Sequence, residues 1–123
     1  MESSLHCSRS YDTIVEGIGL DRVTGNFDPS VIDGAFRVSD REAVEMSRYL
    51  LRNDGLYLGA SSAVHCVGAV RAARALGPGH TIVTVLCDGG QRYASRFWND
   101  EALARLGIAP TGTGRVLSFL SDA

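Results

Sequence analysis

The sequence predicts an α/β fold in which helices cover a parallel sheet. Three segments have the pattern of strands, and each is followed by a segment with the pattern of a helix, which is the alternation typical of such layers. The clearest strand is 81–87, because it is rich in β-branched residues and apolar at nearly every position, like a strand buried on both faces. Weaker strands are predicted at 35–38 and 56–58.

Capping residues mark the predicted helices. Ser39 and Glu42 have the spacing of a capping box, so the first helix is predicted to begin there. The second helix follows 59–62 and is rich in small residues, which let a helix pack closely against a sheet. A short third helix is predicted between Asn99, as its cap, and Gly107.

The composition is that of one globular domain or part of one. The chain has 123 residues, of which 45% are hydrophobic and 21% charged, and its net charge is −2. Because arginines and acidic residues are interleaved, neither a nucleic acid nor a membrane surface is expected as a partner. No apolar run is long enough to span a bilayer, and residues 1–10 lack the apolar core of a secretory signal. We therefore expect a cytoplasmic location, with a mitochondrial one left open.

The three cysteines predict neither a disulfide framework nor a metal site. Cys7, Cys66 and Cys87 are irregularly spaced and odd in number, which favours reduced thiols. His65 and Cys66 are neighbours, and adjacent residues of a helix point about 100° apart, so they do not converge on one metal ion. We expect Cys66 to be a packed thiol beside an ordinary histidine.

Two segments lie where predicted strands end, and open α/β sheets bind ligands at the carboxyl ends of their strands. In 59–62, Ser61 or Ser62 either contacts an anion or a heteroaromatic nitrogen or caps the helix that follows. In 87–90, Asp88 is an acid, a residue that orients a ligand, or a turn residue. The sequence has no motif for a nucleophilic triad, a dinucleotide-binding loop or a phosphate-binding loop.

Four motifs occur along the chain in a distinctive order. They are VEGIG at 15–19, RVSDREA at 37–43, GLYLGASSA at 55–63 and TIVTVLCDGGQRY at 81–93. Their order and spacing resemble the cysteine synthase family, also called O-acetylserine sulfhydrylase, among the fold-type II pyridoxal-phosphate (PLP) enzymes. The resemblance implies an incomplete domain, namely a segment of that family's three-layer parallel sheet.

The resemblance also implies domain boundaries. Residues 1–10 are an unstructured or unrelated start, 11–107 are the C-terminal part of a cysteine synthase-like domain, and 108–123 are a loose tail. Strands without neighbours expose apolar edges, so we expect either a homo-oligomer or association with a full-length subunit.

By resemblance, the activity is a β-replacement in which sulfide displaces the acetate of O-acetylserine to give cysteine, with PLP as cofactor. Ser61 matches the serine whose hydroxyl bonds the ring nitrogen of PLP. Gly17 and Gly19 match glycines that let backbone lie beside the cofactor and substrate. The chain departs from the family at Ala63, where a glycine is usual, and at Gly89, where many members have serine.

The sequence contains no lysine, and all twelve basic residues are arginines. Enzymes of this kind hold PLP through a lysine Schiff base, so covalent attachment is not possible in this chain. We therefore assign no catalytic residue and expect the isolated chain to be inactive. A general preference for arginine codons is an alternative cause of the missing lysine. Two other functions stay open: a cystathionine β-synthase-like β-replacement with a different thiol acceptor, and a non-enzymatic fragment that associates with a full-length subunit.

Overall fold

The structure of the chain is a computed structural model that describes residues 13–18, 24–112 and 114–120. The described helices are α1 (Asp40–Asp54), α2 (Ala60–Leu76) and α3 (Asp100–Arg105), with short 3-10 helices at Pro29–Val31 and Gly90–Tyr93. Helices α1 and α2 pack against each other. The three predicted helices are thus confirmed. None of the described helices combines the length and the apolar character needed to cross a membrane.

Helix α1 begins and ends as its capping residues predict. The Ser39 hydroxyl accepts a hydrogen bond from the Glu42 N–H, and the Glu42 carboxylate accepts one from the Ser39 N–H, which completes the capping box. Gly55 ends the helix with a left-handed φ of 69°, and its N–H donates to the carbonyls of Leu50 and Leu51. Local sequence is therefore sufficient to define α1.

The buried apolar residues come mostly from α1 and α2. Those of α2 are small, as the sequence predicts, so the two helices approach closely. The buried apolar residues among those described are Val15, Ala43, Val44, Met46, Ala60, Ala63, Val67, Phe97, Leu103 and Leu120.

A buried ion pair also joins the two helices. The Arg71 guanidinium of α2 donates to the Glu42 carboxylate of α1 over 2.5 Å, and it also donates to the Arg37 carbonyl. The side chains of Arg71 and Glu42 are only 5% and 11% exposed. Because Glu42 is also the capping-box residue, this carboxylate links the start of α1 to the face of α2.

The predicted strands are not formed in the part of the chain that the structure describes. Residues 35–38 and 81–87 have no strand partner, and 56–58 makes a single antiparallel bridge, between Leu58 and Gly89. The parallel sheet is therefore not confirmed. The physical reason is that a strand is held by hydrogen bonds to a neighbouring strand, and 81–87 lies without one and leaves Val83 87% exposed.

The residues after α3 make contacts with α1. The buried Glu45 carboxylate accepts hydrogen bonds from the N–H groups of Thr111 and Gly112 and from the Thr111 hydroxyl. Further along, Leu120 is buried in the core. These contacts attach the described part of 108–123 to α1, while the domain boundaries themselves stay a prediction.

Candidate functional site

A cavity of about 510 Å³ opens at the N-terminal end of α2. Three short pieces of chain meet around it: the start of α2, the segment at 16–18 and the segment at 87–93. Its lining residues are Glu16, Gly17, Ile18, Ser61, Cys87, Asp88, Arg92 and Tyr93. The two segments singled out from the sequence, 59–62 and 87–90, therefore meet at one cavity even though the sheet is not formed.

The two adjacent serines of α2 have different roles. Ser62 is fully buried, where its hydroxyl accepts from the Cys87 N–H at 2.9 Å and lies 3.4 Å from the Asp88 carbonyl. Ser61 lines the cavity and is 8% exposed, and its hydroxyl has no hydrogen-bond partner among the described residues. Gly59 is the N-cap and no side chain caps this helix, so neither serine is the cap that the sequence left open. Ser62 therefore joins the start of α2 to residues 87–88, whereas the hydroxyl of Ser61 is available to a ligand in the cavity.

Asp88 and Tyr93 form a polar pair on the cavity wall. The Tyr93 hydroxyl donates to Asp88 Oδ2 at 2.7 Å, and the Arg92 guanidinium lies 4.0 Å from the same oxygen. Asp88 Oδ1 is buried and lacks a hydrogen-bond partner in the described residues. The carboxylate holds the Tyr93 hydroxyl in place, and the three roles that the sequence leaves open for Asp88 stay predictions. The sequence motif contains Tyr93, but nothing in its spacing indicates this contact.

The hydrogen bond to Asp88 raises the pKa of Tyr93, and desolvation and the Asp88 charge raise the pKa further. The neutral phenol is the favoured form, so the contribution of Tyr93 to stability is present below pH 10, the ordinary value, and is lost as the pH rises through the raised pKa. We expect Asp88→Ala to lower the pKa of Tyr93 in an ultraviolet difference titration. The transition of Tyr93 is identified by its loss in Tyr93→Phe, and an unchanged midpoint in Asp88→Ala contradicts the assignment.

The two predicted glycines differ in what is known of them. Gly17 lines the cavity with φ of 81°, a conformation that other residues rarely adopt, and a Cβ built on it meets no atom within 4 Å. Backbone without a side chain therefore forms this part of the wall. Gly19 lies outside the described residues.

Gly59 is required by close packing at the cavity. A Cβ at this position lies 2.2 Å from Asp88 Oδ1 and 2.8 Å from Tyr93 Cε2. Since Asp88 and Tyr93 are hydrogen-bonded to each other, a new methyl group at this position displaces both side chains. We expect Gly59→Ala to destabilise the chain by about 1–3 kcal/mol. The control is Gly68→Ala inside α2, where a Cβ meets nothing within 4 Å and a gain of about 0.5–1 kcal/mol is expected. Urea titrations followed by Trp98 fluorescence measure both, and equal effects rule out the close contact.

Comparison with known proteins defines the class to which this chain belongs. A family profile described as "Pyridoxal-phosphate dependent enzyme" matches residues 1–88. The chain therefore belongs to this family of PLP-dependent enzymes, and the sequence resemblance is confirmed.

Within the family, the chain is similar in sequence to cysteine synthases. It is 56% identical over 101 residues to "Cysteine synthase 2" of Schizosaccharomyces pombe, which is 80% of this chain and 26% of that protein. It is 57% identical over 88 residues to "Cysteine synthase" of Dictyostelium discoideum, which is 72% of this chain and 23% of that protein. The "Putative mitochondrial cysteine synthase" of Saccharomyces cerevisiae is 47% identical over 91 residues, again 72% of this chain and 23% of that protein.

The match extends to a second kind of enzyme at lower identity, and it covers only part of each relative's length. A cystathionine β-synthase of Dictyostelium discoideum is more distant, at 33% identity over 107 residues, which is 87% of this chain and 21% of that protein. The chain also spans only about a quarter of the length of the curated relatives it matches. What a complete enzyme does is therefore not automatically a property of this chain.

The cavity fits one side of the family's cofactor. PLP needs a hydrogen-bond partner for its ring nitrogen, a wall without bulky side chains beside the ring, and a lysine for covalent attachment. The cavity offers the hydroxyl of Ser61, which has no partner among the described residues, and bare backbone at Gly17. The sequence has no lysine, so this chain supplies no covalent anchor.

Proposed function

We propose that the chain supplies the Ser61 side of the cofactor site of a cysteine synthase, which makes cysteine from O-acetylserine and sulfide by β-replacement. The observation that carries this proposal is Ser61, a buried residue of the cavity wall whose hydroxyl has no other partner in the described residues. Similarity to named cysteine synthases supports it. When bound, PLP supplies the electron-withdrawing ring that makes loss of a leaving group from Cβ possible.

The chain's own residues bind and orient in this proposal. The Ser61 hydroxyl meets the ring nitrogen, and as a neutral group it does not hold a proton there, which favours elimination at Cβ. Gly17 leaves backbone beside the ring, and the family resemblance gives Gly19 a matching role toward the cofactor and substrate. With no lysine, the isolated chain binds PLP reversibly and turns over no substrate.

The first test is binding of PLP to the chain itself. We expect saturable quenching of Trp98 fluorescence or a shift of PLP absorbance, and Ser61→Ala is expected to weaken binding by about 10- to 100-fold, the effect of losing a buried hydrogen-bond partner. Ser95→Ala, which changes an exposed serine in the same way, is the control and is expected to bind like the parent chain. The proposal is contradicted if Ser61→Ala and Ser95→Ala bind PLP with equal affinity, or if the parent chain does not bind PLP.

We further propose that 81–87 becomes a strand of a three-layer parallel sheet when it meets polypeptide that carries the neighbouring strands, with 11–107 as the C-terminal part of that domain. Support comes from the apolar residues that this segment leaves uncovered: Val83, Val85 and Leu86 are 87%, 65% and 45% exposed. The same exposure favours the second candidate function, a non-enzymatic chain that associates with a full-length subunit.

Fragment complementation separates these functions. The part of the Schizosaccharomyces pombe relative that this chain does not match is mixed with the chain and assayed. Activity with O-acetylserine and sulfide supports the cysteine synthase proposal, and activity with serine and homocysteine supports the cystathionine β-synthase alternative. A complex without either activity supports the non-enzymatic alternative. For the compartment, cytoplasm stays our prediction and mitochondria the alternative, since the name of the Saccharomyces cerevisiae relative refers to mitochondria.

A further inference from the structure

The cavity wall carries a thiol that the proposed reaction does not use. Cys87 is exposed and lines the cavity together with Ser61. Cys66 is half-buried, and burial raises the pKa of its thiol, with a further rise from the Asp54 charge. Of the two cysteines that the structure describes, one is an accessible thiol at the cavity and the other is made less reactive by burial.

The His65 ring contacts the Cys87 sulfur. Its Nδ1 lies 2.9 Å from the Val85 carbonyl oxygen and 3.6 Å from Cys87 Sγ. A carbonyl oxygen only accepts, so Nδ1 carries the proton and donates, and the sulfur is an acceptor in the same contact. The thiol's own proton is thus not used to hold the contact. His65 lies one helical turn after Ser61 in α2, so one helix positions both the hydroxyl and the sulfur.

The space beside this sulfur is suited to a polar ligand. Ser61, at 8% exposure, directs a hydroxyl without a partner among the described residues into the same cavity. A polar ligand in the cavity can form a hydrogen bond with this hydroxyl. A group attached to Cys87 therefore occupies the space in which such a ligand binds.

We propose that Cys87 is a modification site for small disulfides, and that the resulting mixed disulfide closes the cavity to the cofactor. The Cys87 thiol loses its proton to solvent, its sulfur attacks one sulfur of the small disulfide, and the other half leaves as a thiolate, so the small disulfide is the oxidant. A reducing thiol reverses the exchange. The closing of the cavity rests on the proposed function, whereas the selectivity for Cys87 does not.

The selectivity is tested with 2-hydroxyethyl disulfide as the neutral probe, in a Cys7→Ser background so that two thiols remain. Intact-mass and peptide-mapping time courses are expected to show Cys87 reacting at least about 10-fold faster than Cys66, and dithiothreitol is expected to restore the parent mass. Adding Cys66→Ser is expected to leave the fast phase unchanged, and adding Cys87→Ser to remove it. Reaction at Cys66 as fast as at Cys87 overturns the proposal.

The closing of the cavity is tested by competition. Chain modified at Cys87 is expected to bind PLP at least about 10-fold more weakly and to regain its affinity on reduction. Conversely, added PLP is expected to slow the modification of Cys87 in proportion to the fraction of chains that have PLP bound. Unchanged affinity after modification overturns the closing of the cavity. If the unmodified chain does not bind PLP, the proposed function is overturned, and the closing of the cavity with it. The relative modification rates of Cys87 and Cys66 still decide whether Cys87 is the modification site.

Discussion

Phe97→Ala is expected to lower the free energy of unfolding by about 3–5 kcal/mol, the range for removing a large aromatic side chain from a packed core. Phe97 is 1% exposed and is the largest fully buried side chain among the described residues. Its ring meets the Trp98 ring edge-on, with the centroids 6.0 Å apart and the planes at 87°. Because so much of a marginal stability depends on one ring, we expect a substantial unfolded fraction in this variant without denaturant.

The chain offers its own probe and control for this measurement. Trp98 is its only tryptophan, so urea titrations followed by tryptophan fluorescence report on the neighbourhood of the substitution. Phe36→Ala removes the same atoms from a side chain that is 46% exposed, and we expect a change within about 0.5 kcal/mol. If the two variants unfold at the same urea concentration, Phe97 is not a core residue.

Helices were predictable because the information that defines them is local. The capping box of Ser39 and Glu42 and the Asn99 cap each lie within four residues of the groups they satisfy, and both occur as the sequence indicates. The strands depend on something that local sequence does not contain. The β-branched residues of 81–87 favour a strand that is buried and paired with a neighbouring strand. The neighbouring strand must come from another part of the polypeptide, and the described residues provide none.

The candidate site was predictable as a place rather than as a set of contacts. The sequence places 59–62 and 87–90 at the ends of predicted strands, and its residue pattern alone does not separate Ser61 from Ser62, which only the family resemblance does. They differ because the helix turns by 100° between them, which puts one hydroxyl against the Cys87 N–H and the other in the cavity. The partners of Asp88 and His65 depend on how α2 packs against 85–93, so no spacing in the sequence indicates them.

The position of Ser61 in turn depends on how α2 is held against α1. The Arg71–Glu42 pair is the buried ionic contact described between the two helices. Taking a guanidinium and a carboxylate out of water is costly, and the attraction between them offsets that cost only while both are present. The pair is thus a stronger determinant of how the helices fit together than of net stability.

Arg71→Met is accordingly expected to destabilise the chain by about 3–5 kcal/mol, because it removes the guanidinium that contacts the buried Glu42 carboxylate. Glu42→Gln separates the two roles of that residue, since glutamine also serves in a capping box but carries no charge. The double variant Glu42→Gln with Arg71→Met is therefore expected to be more stable than Arg71→Met alone. Arg105→Met, at an exposed arginine of α3, is the control and is expected to stay within about 0.5 kcal/mol of the parent.

Urea titrations of the parent, Glu42→Gln, Arg71→Met and the double variant give the coupling energy between the two residues. If Arg71→Met is unfolded in buffer, titrations with added osmolyte extend the measurable range. A double variant less stable than Arg71→Met means that the charge of Glu42 is tolerated without Arg71, which contradicts the buried pair. The Ser61 site adds a second readout. Because α2 carries Ser61, PLP affinity under conditions where each variant is folded is expected to fall in Arg71→Met and to recover in the double variant, whereas Arg105→Met leaves it unchanged.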